Sequence, residues 1–235
     1  MRTALVTGAS RGIGRECAKA LANEGYKVYA LWHSSREGIE TLCSEISCTP
    51  LQCDVRDYGA VVETVKSIPE GVDILVNCAG ISEHAVLQDI TEEMWDNMFD
   101  VSVKSVYSLS KACIPHMINR KWGRIINISS MWGQVGASCE VHYSAAKAAV
   151  IGFTKALAKE VGLSGITVNC IAPGVIDTDM NRGFSPEDID ALIDETPMNR
   201  IGTPFDIARA VTFLADERAD FITGQVLGIN GGLVL

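Results

Sequence analysis

The sequence predicts an α/β protein in which helices cover both faces of a doubly wound parallel sheet, giving three layers in one domain. Short apolar runs alternate with helical patterns along the whole chain, which is typical of successive βα units. Some of these runs, such as DILVNCAG and GRIINIS, carry uninterrupted Ile, Leu and Val, as expected for central strands buried on both faces. The first run ends in a cluster of glycines.

The first unit consists of a strand, a glycine turn and a helix. The strand Thr3 to Thr7 runs into GASRGIG, and a helical pattern follows and ends at Gly25. Glycines let the backbone turn tightly and approach a pyrophosphate, which then lies on the N–H groups of the next helix. This turn therefore predicts a dinucleotide site, although such a turn can also be purely structural. The predicted contacts are Gly8, Ser10, Arg11, Gly12, Ile13 and Gly14.

The end of the second strand, Lys27 to Trp32, indicates which dinucleotide is bound. An Asp or Glu at this point holds the free ribose hydroxyls of NAD, and no acid follows Trp32. Donors that suit a 2′-phosphate are present instead, so NADP(H) is favoured over NAD(H). They are Arg11, His33, Ser34, Ser35 and Arg36. The alternative for Arg36 is that it only opens a solvated helix.

The third strand is predicted as LQCDV, directly after Pro50. Its last residues, Asp54 and Val55, are expected to contact the adenine. Helices are predicted on either side of it, from Glu37 to Ile46 and from Asp57 to Ser67.

The fourth strand, within DILVNCAG, is predicted to turn beside the cofactor at Asn77, Ala79 and Gly80. In isolation the same four residues, NCAG, would be an ordinary turn. His84 lies in the loop that follows and is assigned no function, because a single loop histidine is usually solvated.

Two helical stretches are predicted from Thr91 to about Lys121, and the second carries apolar residues on more than one face. Such a helix can pack on the sheet and also on another subunit. The strand Gly123 to Ser129 then delivers Ser130 at its carboxyl end, where open parallel sheets bind ligands.

The helix predicted from Val141 to Val161 carries a possible acid/base pair. Tyr143 and Lys147 are four residues apart and therefore lie on one face. A phenol titrates near pH 10, and exchanging a proton near neutrality requires a pKa about 3 units lower, or about 4 kcal/mol. The Lys147 ammonium and the positive charge of an oxidised nicotinamide are expected to supply this, while Ser130 holds the reacting carbonyl or alcohol. The alternative is a packed tyrosine beside a surface lysine.

The last part of the chain begins with the strand ITVNCIA, which ends at Pro173 and Gly174. The irregular segment from about 175 to 200, which includes Phe184, is predicted to form a lid over the substrate. Within it, Ser185 as N-cap and Pro186 at the first helical position predict a helix start. A final helix, Pro204 to Leu214, and a strand in TGQVLGINGG complete one domain spanning residues 1–235.

Composition narrows the class of protein. The net charge of −9 argues against nucleic-acid binding, which requires a surplus of Lys and Arg. Eight cysteines show neither a C-x-x-C pair nor a Cys/His cluster with metal-ligand spacing, so no metal is predicted and the thiols are expected to be reduced. No apolar stretch reaches eighteen residues, and the N-terminus does not have the pattern of a signal peptide. A cytoplasmic protein without a membrane partner is expected.

Together these motifs resemble the short-chain dehydrogenase/reductase family over nearly the whole chain. The resemblance rests on the motifs TGASRGIG, NCAG, YSAAK and PGVIDT and on Ser130. The resemblance implies a Rossmann-type sheet of seven strands, hydride transfer to or from a nicotinamide, and a homotetramer. It further implies that Tyr143 is the acid/base, that Lys147 lowers its pKa and binds the ribose, and that Ser130 orients the substrate. Cofactor contacts are implied at Pro173, Gly174, Ile176 and Thr178, with Thr178 holding the carboxamide.

Within the family, the phrases WGRIINISS and GITVNCIAPG are most similar to the 3-oxoacyl-[acyl-carrier-protein] reductases. Ser102 stands where the family commonly has an active-site Asn, which acts through its backbone carbonyl, so Ser102 is included among the catalytic candidates. Ser164 stands where such reductases often carry an Arg for docking an acidic carrier protein. Arg120, Lys121 and Arg124 remain as a basic spot for that partner.

The predicted function is NADPH-dependent reduction of a ketone to a secondary alcohol, with a 3-oxoacyl thioester as the substrate and acyl carrier protein as a partner. One alternative is an alcohol, sugar or hydroxysteroid dehydrogenase. An alternative of another class is a nucleotide-binding regulator without catalysis, against which Ser130, Tyr143 and Lys147 argue.

Overall fold

The computed structural model describes residues 1–181, 183 and 185–235. In this part of the chain seven strands pair into one sheet, and the bounds of the first two agree with the prediction. The strands are β1 (Thr3–Thr7), β2 (Lys27–Trp32), β3 (Cys48–Gln52), β4 (Ile74–Asn77), β5 (Gly123–Ile128), β6 (Ile166–Pro173) and β7 (Val226–Ile229).

Helices connect the strands. They are α1 (Gly12–Asn23), α2 (Arg36–Glu45), α3 (Tyr58–Lys66), α4 (Glu92–Phe99), α5 (Ser105–Arg120), α6 (Trp132–Val135), α7 (Val141–Val161), α8 (Pro186–Glu195) and α9 (Pro204–Ala215). The predicted bounds of α7 agree with the structure. The short helix α6, which follows Ser130 directly, was not expected.

The strand order is β3-β2-β1-β4-β5-β6-β7, and each neighbouring pair is parallel. Because the chain winds one way from β1 to β3 and the other way from β4 to β7, the direction reverses between β1 and β4. Ligands of open α/β sheets bind at such a reversal, outside the carboxyl ends of the strands. The doubly wound α/β fold is therefore confirmed, and its expected binding edge is defined.

The core lies on both faces of the sheet. Since side chains alternate along a strand, Ala4 and Val6 pack with α1, α2 and α9, whereas Leu5 packs with α3, α5 and α7. All five side chains of β1 are buried. The sheet is thus the middle of three layers, as predicted.

Both ends of β3 differ from the prediction, which placed the strand over LQCDV after Pro50. The strand ends at Gln52, so Asp54 and Val55 follow it rather than belong to it. The strand begins at Cys48, and Pro50 pairs in register with Ala30 of β2. A proline lacks the N–H that a ladder requires, so it is confined to edge strands, where that position can face away from the partner. β3 is an edge strand, and this explains why Pro50 does not interrupt it.

The two helices predicted between Thr91 and Lys121 are joined without a loop. Thr91 caps α4 by accepting a hydrogen bond from the Met94 N–H, as expected. A π-helical turn over Asp100–Lys104 then leads into α5. Such turns add one residue to a helical turn and often occur at functional sites.

The segment after β6 contains the predicted helix start. Ser185 caps α8 through a capping box with Asp188, and Pro186 occupies the first turn. Phe184 lies outside the described residues. No residue of α8 is buried, which is compatible with a covering element rather than a core helix. Across the described ranges, none of the helices combines the length and apolarity that crossing a bilayer requires.

Candidate active site

A cleft of about 820 Å³ opens at the carboxyl edge of the sheet. It collects residues from the ends of six strands, which are far apart in the sequence. All predicted cofactor contacts except Asn77 and Arg36 line it, as do Ser130, Tyr143 and Lys147. The lining cofactor candidates are Gly8, Ser10, Arg11, Gly12, Ile13, Gly14, His33, Asp54, Val55, Ala79, Gly80, Pro173, Gly174, Ile176 and Thr178.

Backbone conformation and close contacts explain the glycines of the turn. Gly8 and Gly12 have φ values of +66° and +53°, a region that favours glycine. A Cβ on Gly14 would lie 2.7 Å from the carbonyl carbon of Gly8. Helix α1 starts at Gly12 without a side-chain cap, so its first N–H groups remain to bind an anion. The turn therefore fits a pyrophosphate.

Thr7 joins the two strands that flank the reversal of strand order. Its hydroxyl accepts hydrogen bonds from the Cys78 and Ala79 N–H groups at 2.9 Å each. Gly8 packs on the same segment, since a Cβ there would lie 3.1 Å from Ala79 Cα. Sequence reasoning identified the glycines but missed Thr7, which holds the two cofactor turns together.

The far end of the cleft carries the predicted adenosine contacts. Arg56 donates to both oxygens of Asp54, at 3.0 Å to Oδ1 and 2.7 Å to Oδ2. These hydrogen bonds lower the pKa of Asp54 to about 2. His33 lies 3.7 Å from the same carboxylate. This end therefore holds one anchored negative charge among cationic and neutral donors.

Arg36 does not belong to this group. Its side chain is 82% exposed and pairs with Glu40 one helical turn later, and it does not line the cleft. It opens a solvated helix, the alternative already considered from the sequence. Arg11, Ser34 and Ser35 do line the cleft.

Asn77 also lies apart from the cleft wall. It is buried, and its Nδ2 donates to Asn127 Oδ1 at 2.8 Å. Asn127 in turn donates to Thr154 on α7 at 2.9 Å. Asn77 therefore fastens β4 to β5 and, through Asn127, to α7. The structure does not place its side chain as a cofactor contact.

Ser130, Tyr143 and Lys147 meet at the other end of the cleft. Ser130 follows β5, and its hydroxyl accepts from the Trp132 N–H at 3.2 Å. The Ser129 hydroxyl donates to the Lys147 carbonyl at 2.8 Å, which fastens α7 against the strand end. The Lys147 ammonium donates to the Ile128 carbonyl at 3.0 Å. The strand end thereby positions both the serine hydroxyl and the ammonium.

Burial is the largest influence on the pKa of Tyr143. Burial raises the pKa of Tyr143 to about 12, and a hydrogen bond with Ser130 opposes this increase only in part. The Lys147 ammonium lies 5.6 Å from the centre of the Tyr143 ring and is buried, which lowers the pKa of Lys147. Lys147 is not among the groups that shift the pKa of Tyr143, so the expected lowering by Lys147 together with an oxidised nicotinamide stays a prediction.

Ser102 lies in the π-helical turn rather than in the cleft wall. It is buried, and its hydroxyl donates to Met98 Sδ at 3.7 Å. The structure therefore does not bring this side chain to Tyr143. The predicted role of Ser102 rests on its backbone carbonyl alone.

Residues that follow β6 form another part of the cleft wall. Met131 donates its N–H to the Pro173 carbonyl at 2.9 Å, which links the ends of β5 and β6. Thr178 reaches the glycine turn, since a Cβ on Gly12 would lie 3.4 Å from its methyl group. The side chain of Leu192 on α8 lines the cleft as well.

Sequence reasoning missed a polar group that lines the same cleft as Tyr143. Glu140 lines the cleft together with Ser82 and His84, and His84 was assigned no role. The Glu140 carboxylate lies 3.4 Å from His84 Nδ1 and 3.3 Å from Ser82 Oγ. The spacing of Glu140 three residues before Tyr143 is the signal that could have identified it.

The predicted basic spot contains one member that is not on the surface. Arg124 is buried, and its guanidinium stacks 4.4 Å from the centre of the Trp122 ring. Arg120 and Lys121 are exposed. Only these two can contribute charge to a docking surface.

Comparison with known proteins identifies relatives along the whole chain. Residues 8–234 match the model of a family described as "Enoyl-(Acyl carrier protein) reductase". The chain is 40% identical to the 3-oxoacyl-[acyl-carrier-protein] reductase FabG of Staphylococcus aureus strain N315, covering 100% of the chain and 98% of that protein. It is also 40% identical to FabG of Vibrio cholerae, with the same coverage.

A solved structure resembles the fold closely. The crystal structure of a putative gluconate dehydrogenase from Agrobacterium tumefaciens superimposes with a TM-score of 0.95 at 30% identity, covering 100% of this chain and 97% of that one. The family model covers residues 8–234, and the relatives match over the full chain at 40% identity. The chain therefore belongs to the short-chain dehydrogenase/reductase family of oxidoreductases.

Proposed function

We propose that the protein uses NADPH to reduce a ketone to a secondary alcohol, and that the ketone is a 3-oxoacyl thioester. The observation that carries this proposal is the meeting of Ser130, Tyr143 and Lys147 in a cleft that also contains the glycine turn. The 40% identity to FabG over the full chain supports the choice of substrate.

The residues around the cleft fit a nicotinamide dinucleotide. The pyrophosphate would lie on the glycine turn and the N-terminus of α1, and Thr178 and the Lys147 ammonium would hold the nicotinamide half. After donating to Ile128, the ammonium has two further N–H groups for ribose hydroxyls. When bound, the cofactor supplies the hydride.

The chain's own residues supply orientation and the proton. Ser130 donates a hydrogen bond to the substrate carbonyl, and Tyr143 donates its proton to the oxygen that becomes the alcohol. Burial raises the pKa of Tyr143 to about 12, so near neutral pH the phenol carries the proton that the reduction consumes. Ser102 contributes through its backbone carbonyl in the π-helical turn, and the buried Lys147 ammonium orients the ribose beside Tyr143.

The thioester assay tests the substrate. We expect NADPH to be consumed, with falling absorbance, when the protein is mixed with acetoacetyl thioesters of coenzyme A, N-acetylcysteamine and acyl carrier protein. Of the two carbonyl groups in these substrates, the 3-oxo group is the ketone that is reduced, and the thioester carbonyl is unchanged. Absence of NADPH consumption with every carrier and chain length would remove the substrate assignment, whereas activity on simple ketones alone would retain the reaction type.

NADPH preference rests on the donors at the adenosine end. Arg11 lines the cleft there, and Arg36 does not. We expect Arg11→Ala to raise the KM for NADPH about tenfold, since a charge-assisted hydrogen bond contributes about 1.5–3 kcal/mol. The KM for NADH should change little. Arg36→Ala is the matched control and should leave both values within about twofold, because a solvated pair contributes little.

An equal loss with both cofactors in Arg11→Ala would place Arg11 on the pyrophosphate instead. The 2′-phosphate preference would then be unsupported.

The carrier partner and assembly are parts of the same proposal. Exposed Arg120 and Lys121 provide positive charge for an acidic acyl carrier protein. Apolar rings at the surface, including Tyr107 on α5 and Phe213 on α9, are suited to burial between copies of the chain. A cytoplasmic homotetramer is the assembly that we propose.

A second candidate is a dehydrogenase of polyhydroxy compounds. Ser82, His84 and Glu140 line the cleft beside Tyr143, and carboxylate and imidazole groups are suited to bind hydroxyls. The similarity to a putative gluconate dehydrogenase is compatible with this reading. Oxidation of sugar acids with NADP or NAD, without thioester reduction, would favour it.

A further inference from the structure

Two cysteines, Cys43 and Cys48, meet at the outer edge of the sheet. Cys43 belongs to α2, and Cys48 is the first residue of β3. Their Sγ atoms lie 3.0 Å apart, and both thiols are free. Since a disulfide has an S–S distance of about 2.0 Å, the two sulfur atoms need to approach by only about 1 Å to form a bond.

The fold brings the two thiols together. Only Ile46 and Ser47 separate α2 from β3, so the chain turns back on itself between the two cysteines. Both cysteines are partly buried and pack against the core on the same face of the sheet. Cys48 also pairs with Val28 of β2, which fixes its backbone. The packing of the helix and the pairing of the strand therefore hold the sulfur atoms in contact.

The remaining cysteines are placed differently in the described part of the chain. Cys139 is exposed, and its sulfur contacts the Ser138 hydroxyl at 3.7 Å. Cys78 lines the cleft. Four others are buried, where solutes do not reach a thiol; they are Cys17, Cys53, Cys113 and Cys170. Cys43 and Cys48 combine partial exposure with a second thiol in contact, which are the two conditions for forming a disulfide in the folded chain.

The two thiols differ in how readily they react. Burial and the hydrogen bond with Cys43 raise the pKa of Cys48 to about 12. Near neutral pH Cys48 therefore retains its proton and is a poor nucleophile, because the thiolate is the attacking form. Cys43 is then the thiol that attacks first. Once its sulfur is bonded to another group, the part of the increase that Cys43 causes is removed, and Cys48 can react in turn.

We propose that Cys43 and Cys48 are a site of reversible oxidation, at which a low-molecular-weight disulfide such as glutathione disulfide converts the two thiols into a disulfide between α2 and β3. The Cys43 sulfur attacks one sulfur of glutathione disulfide, whose S–S bond breaks and releases one glutathione. The Cys48 sulfur then attacks Cys43 Sγ and releases the second. The two cysteines lose two electrons and two protons, and glutathione disulfide gains them as two thiols.

The bond fastens an edge of the sheet that supports the cofactor cleft. β3 is the first strand of the sheet, and Thr49 and Pro50 are exposed. Its far end leads to Asp54 in the cleft wall. The far end of α2 packs on the glycine turn, since a Cβ on Gly38 would lie 2.5 Å from the Ser10 carbonyl oxygen. Oxidation therefore clamps the unit that frames the adenosine end, and local opening of this edge becomes less frequent.

The test is peptide mapping of the native protein after incubation with glutathione disulfide. Cleavage after Glu45 separates the two cysteines, so the bond is detected as two joined peptides, and the intact protein loses two hydrogens. Cys53 follows on the same peptide as Cys48, and fragmentation of that peptide distinguishes them. Dithiothreitol should restore both thiols.

Single variants test the two roles. We expect Cys48→Ser to retain one glutathione on Cys43, because the thiol that would displace it is absent. We expect Cys43→Ser to react at residue 48 at least about tenfold more slowly, because the Cys48 thiol retains its proton. Cys139→Ser is the matched control, since it removes an exposed thiol and should leave the bond between Cys43 and Cys48 unchanged.

The bond should also change the stability of the folded chain. We expect oxidation to raise the melting temperature by about 4–8 °C, because a closed loop constrains the unfolded chain, and to slow hydrogen exchange over residues 46–50. These readouts need neither substrate nor NADPH, so they are independent of the proposed function. If glutathione disulfide leaves Cys43 and Cys48 as thiols, or attaches one glutathione to each without joining them, the inference is overturned.

Discussion

Tyr143→Phe is expected to lower the turnover of ketone reduction about 100- to 10,000-fold, the usual contribution of a positioned proton donor. The phenol is the acidic group that Ser130 contacts in the cleft, and phenylalanine retains the ring while removing the proton. Burial of the ring is unchanged, so the fold and the affinity for NADPH should be retained. The loss should therefore fall on kcat rather than on KM.

Steady-state kinetics with an acetoacetyl thioester, together with NADPH binding followed by fluorescence, separates these effects. Tyr58→Phe is the matched control, because this hydroxyl lies at the start of α3, is 39% exposed and does not line the cleft. Turnover of Tyr143→Phe within a few fold of the unaltered protein would show that another group donates the proton.

The fold was predictable where local signals and burial agree. The strand Thr3–Thr7 carries Ala, Leu and Val between two threonines, is buried throughout and lies in the interior of the sheet, so the sequence pattern is sufficient to define it. The start of β3 was predicted wrongly because proline was taken to exclude a strand. That rule does not hold for an edge strand, and the sequence does not show which strand lies at the edge. The π-helical turn at Asp100–Lys104 likewise carries no distinctive residue pattern.

The meeting of the site residues was predictable for a topological reason. Parallel strands end on one side of the sheet, so the turns after β1, β4, β5 and β6 must approach one another. What could not be predicted was the direction of individual side chains. Asn77 and Ser102 follow or neighbour the same elements, yet they point to Asn127 and Met98 in the interior. Such choices depend on long-range contacts that local spacing does not contain.

The charge on Lys147 illustrates the same limit. Helical spacing predicted that it faces Tyr143, and the ammonium does lie over that ring. The direction of the pKa change depends on desolvation as well as attraction, and only the folded chain shows that both groups are buried. The sequence spacing therefore predicted that Lys147 lies near Tyr143, whereas the directions of their pKa shifts could be obtained only from the structure.

Gly14→Ala is expected to destabilise the protein by about 2–3 kcal/mol, because overpacking against fixed atoms has a cost of this size. The new Cβ would lie 2.7 Å from the carbonyl carbon of Gly8 and 3.0 Å from the carbonyl oxygen of Thr7. These are backbone atoms of the strand end and cofactor turn, so they cannot rotate away. The melting temperature should fall by about 5–10 °C.

The same substitution should weaken NADPH binding at least about tenfold, equivalent to about 1.4 kcal/mol, because the displaced turn no longer presents its N–H groups to the pyrophosphate. Gly162→Ala is the matched control. Gly162 has helical backbone angles and nothing within 4 Å of the added carbon, so alanine should raise stability by about 0.4–1 kcal/mol through the unfolded chain. Calorimetry and a binding titration on both variants distinguish the two effects. If Gly14→Ala retained full stability and affinity, the contact between α1 and the β1 turn would not be the support of the cofactor site, and the pyrophosphate would have to be held elsewhere in the cleft.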